Sequence, residues 1–177
     1  MIGGGPAGFM AAITAAERGV RDVLILEATP DVLTKVRISG GGRCNVTHAC
    51  WDPMELVGHY PRGSKPLRGP FSQFACGDSI AWFDEHGLTL VEESDGRMFP
   101  QQNRSEAVVE CLRRAALATG VKIQCGSAVR QLSCSAAGDF QISDQRSAFH
   151  QAKRVLLASG GHPSGRRLAQ DLGHTIV

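Results

Sequence analysis

At 177 residues the chain is long enough for one domain with a core of its own. Its 42% hydrophobic and 20% charged residues describe a soluble globular protein, and a net charge of +2 gives no ground for a nucleic-acid or anionic-membrane partner. No apolar run is long enough to cross a bilayer and no basic-then-apolar leader is visible, so neither a membrane span nor a signal peptide is expected. The six cysteines (Cys44, Cys50, Cys76, Cys111, Cys125, Cys134) form no C-x-x-C pair, and the histidines lack H-x-x-x-H spacing. The expectation is therefore reduced, mostly buried thiols in a cytoplasmic protein, with no metal site.

The chain opens on Met1-Ile2-Gly3-Gly4-Gly5-Pro6-Ala7-Gly8, in which Gly3, Gly5 and Gly8 have G-x-G-x-x-G spacing. In a dinucleotide-binding turn the first glycine permits a tight exit from a strand. The second lets a pyrophosphate approach the backbone, and the third lets the next helix pack close to the sheet. Alone the motif is weak, so its context decides. Ala7 to Arg18 has no internal Gly or Pro and reads as a helix stopped by Gly19. Asp22 to Glu27 is a short apolar run ending in an acid, suited to a buried parallel strand. Glu27 stands nineteen positions after Gly8, where a carboxylate accepts hydrogen bonds from ribose hydroxyls and repels a 2′-phosphate. Only Met1 and Ile2 precede the turn, so the first strand is a stub or the chain starts late.

Ala28 to Val36 reads as a connection. The stretch Lys35 to Thr47 then holds Ser39-Gly40-Gly41-Gly42-Arg43-Cys44-Asn45. Three consecutive glycines cost backbone entropy, so order here needs compensation. A nest of backbone N–H groups facing an anion would supply it, with Ser39 and Arg43 adding donors; a flexible loop tip is the alternative. Cys44 beside Arg43 is either a nucleophilic thiolate or a small packing residue, and the lack of a resolving Cys or a nearby base favours packing.

Residues 48–76, with four prolines and a basic cast from Arg62, Lys65 and Arg68, read as an irregular excursion with short helical pieces such as Pro53 to Val57. A short helix capped by Asp78 or Ser79 runs to His86, a structural histidine near a helix C-terminus. Leu88 to Glu92 is a strand, and Ser94-Asp95-Gly96 a turn. Ser105 caps a helix from Glu106 to Ala118, and Val121 to Cys125 is a strand. Val129 to Ser133, Phe140 to Ser143 and Ala148 to Lys153 read as an antiparallel meander. Arg154 to Ala158 is a buried-strand pattern entering Ser159-Gly160-Gly161, where close backbone approach to a ligand is again possible. Ser164 to Leu172 can be a helix, and Gly173 to Val177 a strand start.

Taken together, the glycine turn, Glu27, Ile38 to Thr47, Asp95 to Pro100 and Gly173-His174 resemble the N-terminal part of the BaiN-like (YhiN-type) bacterial flavoproteins, over nearly the whole chain. The resemblance implies an α/β fold: an FAD-binding Rossmann-like parallel sheet of the two-dinucleotide-binding-domain flavoprotein type, with an antiparallel β-meander. It also implies FAD as cofactor, NAD(P)H as a candidate electron donor, and an oxidoreductase whose substrate is unknown. Gly3, Gly5, Pro6, Ala7 and Gly8 would cradle the pyrophosphate and Glu27 the adenosine ribose. Lys35 and Ser39, Gly40, Gly41, Gly42, Arg43, Cys44 and Asn45 would run along the cofactor toward the flavin. Val129 would lie beside the adenine, and Ala158, Ser159, Gly160 and Gly161 would cross near the cofactor again.

Family members are about twice this length, in keeping with two domains. On that comparison residues 1–177 are expected to be an incomplete FAD/NAD(P)-binding domain, truncated at both ends. Most of the first strand, the C-terminal substrate domain and the last FAD-binding segment would be missing. No residue stands out as a general acid or base. The alternatives are a non-catalytic truncated remnant and, less well matched to the motifs, a plain NAD-dependent dehydrogenase domain.

Overall fold

The computed structural model describes residues 1–176 and divides into two compact units, the first Met1–Lys35 with the chain from Leu112 onward, the second Val36–Cys111. The first unit is built on parallel pairing. Strand β1 (Leu24–Leu26) pairs in parallel with β5 (Lys122–Gln124), Ile25 facing Ile123. Ile2 forms parallel bridges to Leu26 on one side and Leu157 on the other, so a single residue occupies the central strand position between them. The bridge is made by backbone bonds, Ile2 N to Leu156 O at 2.9 Å and Ala158 N to Ile2 O at 2.8 Å. The expected strand over Arg154 to Ala158 is reduced to this bridge: Leu156 is 43% exposed, so the apolar run is not buried on both faces.

Helix α1 (Pro6–Glu17) follows the glycine turn and buries Gly8, Phe9, Ala12 and Ile13, the i, i+4 stripe that its small residues leave open. Arg18 and Gly19 close it, Gly19 at φ +86°. The meander forms as expected. Strand β6 (Val129–Cys134) pairs antiparallel with β7 (Phe140–Asp144), and β7 with β8 (Phe149–Ala152). Val129, Leu132 and Ile142 point from it into one cluster with Ile2, Leu26 and Leu168. Leu168 comes from helix α7 (Pro163–Asp171). The strand start expected at Gly173 is absent through Ile176, and Val177 lies outside the described residues.

The second unit holds a three-stranded antiparallel sheet, β2 (Thr47–His48), β4 (Arg97–Pro100) and β3 (Leu90–Glu92), with β4 central. The β3–β4 hairpin turns at Gly96, φ +80°, where a Cβ would stand 2.5 Å from the His48 ring. Within residues 48–76 the expected short helix forms as α3 (Pro53–Gly58), and a second helix, α4 (Ser64–Gln73), makes the stretch more regular than its prolines suggest. Two prolines hide α4 in the sequence. Pro66 sits in its first turn, where the missing N–H has no intrahelical partner anyway, while Pro70 lies inside. Helix α5 (Cys76–Glu85) starts earlier than expected. Asp78 is not its cap but an N3 acid, its carboxylate accepting from Ala75 N at 2.7 Å. His86 closes α5, its ring stacked on Trp82 at 3.9 Å.

A short helix α2 (Thr34–Ile38) fills part of the expected connection. Helix α6 (Ser105–Ala118) has its buried Val108, Val109, Leu112, Ala115 and Ala116 at helical spacing. Ser105 is its first residue rather than its cap, and its hydroxyl donates to Arg37 O at 2.6 Å. Among the described residues no helix is long and apolar enough to cross a membrane.

Candidate functional site

In the first unit the glycines of the opening turn have three different physical jobs. Gly3, at φ +115°, would carry a Cβ only 2.5 Å from Ala158 O, so the turn and the Ala158 segment are in backbone contact. Gly8 is tighter still: a Cβ there would overlap Gly3 O, so α1 touches the turn it leaves. Gly5 is the opposite case. A Cβ on it would meet nothing within 4 Å, and its φ of −82° suits any residue. The protein therefore gives no internal reason for glycine there, and the space above it is open. Gly5 is also the N-cap of α1 and has no side chain to close the helix end. The first-turn amides of Ala7 and Gly8 point out of the helix end without intrahelical acceptors, while Pro6 has none to offer. Open space, outward amides and the positive end of a helix dipole make a cradle for a phosphate group.

Glu27 follows β1 directly and is held in place. Its Oε2 accepts from Gly4 N at 2.6 Å, and its Oε1 accepts from Thr29 N and Thr29 Oγ1, both at 2.9 Å. Each oxygen has two acceptor directions, so Oε1 is filled by Thr29 and Oε2 keeps one direction for a ribose hydroxyl. Gly4 and Thr29 were not singled out in the sequence. Gly4 is an unassigned position of the motif, yet its Cβ would meet Val32 Cγ1 at 2.8 Å, and the Glu27-x-Thr29 spacing was the only available sign of the second.

Ala158 and Ser159 lie beside the same turn, through the approach of Gly3 to both and the Ala158 N to Ile2 O bond. Gly160 is at φ +59°, and Lys35 Nζ lies 3.7 Å from where its Cβ would stand, so a cation flanks this glycine pair. Gly165, also missed, packs on Ser159 so closely that a Cβ on it would overlap Ser159 Oγ. Val129 is buried, its side chain in the cluster with Ile2 and Leu26.

In the second unit Ser39–Gly42 is a 3-10 turn whose Gly40, Gly41 and Gly42 have φ of +54°, +67° and +86°. Gly40 is the demanding one: a Cβ on it would stand 3.0 Å from Asn45 N and 3.4 Å from the Phe99 ring. At the end of this loop two amides are turned back on it. Arg43 N donates to Gly40 O at 3.3 Å and Cys44 N to Ser39 O at 3.0 Å, so these amides close the loop on itself. The Arg43 guanidinium is likewise engaged: it pairs with Glu93, donates from Nε to Asn103 Oδ1 at 2.5 Å, and lies over the Phe99 ring at 4.0 Å. In the amide orientation that satisfies both ends, Asn45 donates to Thr47 O at 2.8 Å and Met98 O at 3.3 Å. Ser39 Oγ donates to Val36 O at 2.7 Å. Cys44 is buried at φ +62°, and burial pushes its thiol above the ordinary range against a weaker opposing hydrogen bond with Ser39. A raised pKa disfavours the thiolate, which agrees with a packing cysteine.

A family model described as the HI0933-like protein Rossmann domain matches residues 1–177. The chain belongs to this family. It is 34% identical over 185 aligned positions to the 3-dehydro-bile acid delta(4,6)-reductase of Clostridium scindens, covering 99% of this chain and 44% of that one. It is 25% identical to the ribosomal RNA dihydrouridine synthase of Escherichia coli, covering 100% of this chain and again 44% of the relative. The chain thus spans less than half the length of the curated relatives it matches. Among solved structures it resembles an open-form flavocytochrome c3 fumarate reductase (21% identity, TM-score 0.63, 85% of this chain and 30% of that one). It also resembles the 3-ketosteroid-delta4-(5alpha)-dehydrogenase of Rhodococcus jostii (18% identity, TM-score 0.60, 86% and 43%). These likenesses fix the fold as the Rossmann type expected from the glycine turn. The HI0933-like domain's two glycine-rich loops differ in build: the first leaves space beside outward amides, while the second is closed at its end by the amides of Arg43 and Cys44.

Proposed function

We propose that this HI0933-like domain is the FAD-binding part of an FAD-dependent oxidoreductase. The observation that carries the proposal is Gly5. It is the one glycine of the fingerprint that the fold does not need, and it stands at the open N-terminus of α1 with Glu27 fixed beside the turn by Gly4 N. That donor and acceptor set fits the pyrophosphate and ribose of the cofactor's adenosine half. In the proposal Gly3 and Gly8 shape the turn, and the amides of Ala7 and Gly8 face the phosphates. Glu27 accepts from a ribose hydroxyl, Val129 lies beside the adenine, and Lys35 with Ala158 to Gly161 adds a cation and a further close backbone approach. Ser39 to Asn45 are proposed as a cofactor-facing loop made rigid by its own hydrogen bonds and by Arg43. When bound, FAD supplies hydride transfer at its flavin ring; the protein's part is to hold, orient and exclude water.

NAD(P)H is proposed as electron donor and the cytoplasm as location, the latter because all six cysteines are free thiols. The substrate is proposed to be a small molecule, and neither nucleic acid nor membrane is invoked. The names of the two curated relatives point to reduction chemistry on dissimilar substrates, so they support the reaction class without selecting a substrate. The test is flavin content. The chain expressed in flavin-replete cells, and a longer version containing it, are purified and their absorption spectra recorded. Bound flavin that is released as FAD on denaturation supports the proposal. Colourless protein that takes up NAD and refuses FAD would replace it with a nicotinamide dehydrogenase domain.

A further inference from the structure

Cys50, Glu55 and His59 lie outside every motif discussed so far, and the absence of C-x-x-C and H-x-x-x-H spacing predicts no metal site. The fold of the second unit nonetheless brings them together. The Cys50 Sγ, a Glu55 carboxylate oxygen and a His59 ring nitrogen all lie within 4.8 Å of one another. Each is placed by local structure. Cys50 is 6% exposed, anchored among Leu56, Ala75 and Cys76, with its N donating to His48 O at 2.8 Å. Asp52 caps α3, accepting from Met54 N at 2.8 Å, and Pro53 occupies the first helical position. The helix so fixed puts Glu55 and His59 four residues apart on one face, His59 as its C-cap.

We propose that Cys50, Glu55 and His59 bind a divalent cation of the zinc class. The donor set selects it: one thiolate and one imidazole suit a borderline-soft ion, and a carboxylate completes three ligands of the types zinc takes. Calcium and magnesium, which want oxygen donors, are excluded by the same set. Thiolate and carboxylate together neutralise a 2+ charge. Tetrahedral ligands at about 2.0–2.3 Å from an ion stand roughly 3.3–3.8 Å apart, so closure needs side-chain movements of about 1 Å. Two of the three ligands are exposed, which allows them to move and leaves the fourth position to water. The ion would clip the chain entering α3 to its last turn within the second unit, with one coordination position open to water.

The test uses the whole chain, reduced and freed of metal, titrated with cobalt(II) as a spectroscopic substitute for zinc. The expected result is one equivalent bound, with a thiolate-to-cobalt charge-transfer band that zinc abolishes by displacement. Cys50→Ser removes the band. Glu55→Gln and His59→Gln each weaken binding more than about tenfold, beyond the lower end of what losing even an outer-shell partner costs. Both sit on the surface, so they carry the test if the Cys50 variant fails to fold. Cobalt bound without a thiolate band, wild-type affinity in both surface variants, or no binding below millimolar metal would each overturn the proposal.

Discussion

Gly5 and Gly8 share a motif but are expected to respond to the same substitution in opposite ways. Gly8→Ala drives a methyl into the Gly3 carbonyl, a backbone group that cannot rotate away. It should destabilise by about 1–3 kcal/mol or more, read from denaturant unfolding. Gly5→Ala meets nothing and keeps an allowed φ. Its stability should change by less than about 1 kcal/mol, a cap effect, while FAD affinity drops. Equal losses of stability in the two variants would remove the distinction on which the proposed phosphate cradle rests. Glu27 offers a second contrast. Glu27→Ala strands the buried Gly4 amide, while the exposed Thr29 amide turns to water, and should cost about 1–3 kcal/mol. Glu27→Gln retains one acceptor oxygen and should fold better than the alanine variant yet bind FAD more weakly than the parent. Unfolding curves and flavin titration on the same samples check both.

At the scale of elements, the β6–β8 meander contains a buried charge. Asp144 is 4% exposed, at the turn between β7 and β8. Burial alone would raise its carboxyl, but the amides of Ala148 and Arg146, the Ser127 hydroxyl and the charge of His150 outweigh it and hold it below the usual carboxylate range. A carboxyl depressed by folding stabilises above its unfolded pKa, near about 3.9, and that stability is lost as pH falls through the lower folded value. Asp144→Asn should therefore be less stable than the parent at neutral pH, with the gap closing below about pH 4. Urea midpoints measured across pH check this; a gap independent of pH would mean that the carboxylate charge contributes nothing.

The elements also differ in how far the sequence disclosed them. Helix α1 was legible because its small-residue run is unbroken from Gly8 to Gly19, and the meander because turn residues at Gly138 and Asp144 punctuate short strands. Helix α4 was not, since Pro66 and Pro70 argue against a helix wherever the first-turn exemption of one of them is unknown. The strand over Arg154 to Ala158 was overread, because an apolar run does not reveal which of its faces finds a partner.

At the scale of the whole molecule, the first unit is assembled from two stretches of chain that flank the second. Its proposed ligand groups, Gly3 to Gly8, Glu27 and Ala158 to Gly161, span nearly the full sequence. A ligand held by both stretches stabilises the unit they share by mass action, about 2.7 kcal/mol when its concentration is one hundred times its dissociation constant. Thermal unfolding with FAD should show an upward shift, and ADP should reproduce part of it because the first unit's groups address the adenosine pyrophosphate. FMN, which lacks that half, should not. An FMN shift equal to that of FAD would move recognition away from the glycine turn.

The sequence by itself determined the class of fold and the location of the proposed phosphate cradle, because glycine spacing, a helix without breakers and one acid at the end of a strand are local properties of the chain. It also marked Ser39 to Asn45 as structured, since three glycines flanked by Arg, Cys and Asn are poor linker chemistry. Only the tertiary structure decided what each of those residues does. It showed that Gly8 and Gly3 are obliged by packing while Gly5 is not, that Arg43 is engaged by Glu93, Asn103 and Phe99, and that Cys50, Glu55 and His59 converge. The physical reason is that contact between residues distant in sequence, or on the two sides of a turn, depends on backbone approach at the ångström scale, which no residue type encodes alone.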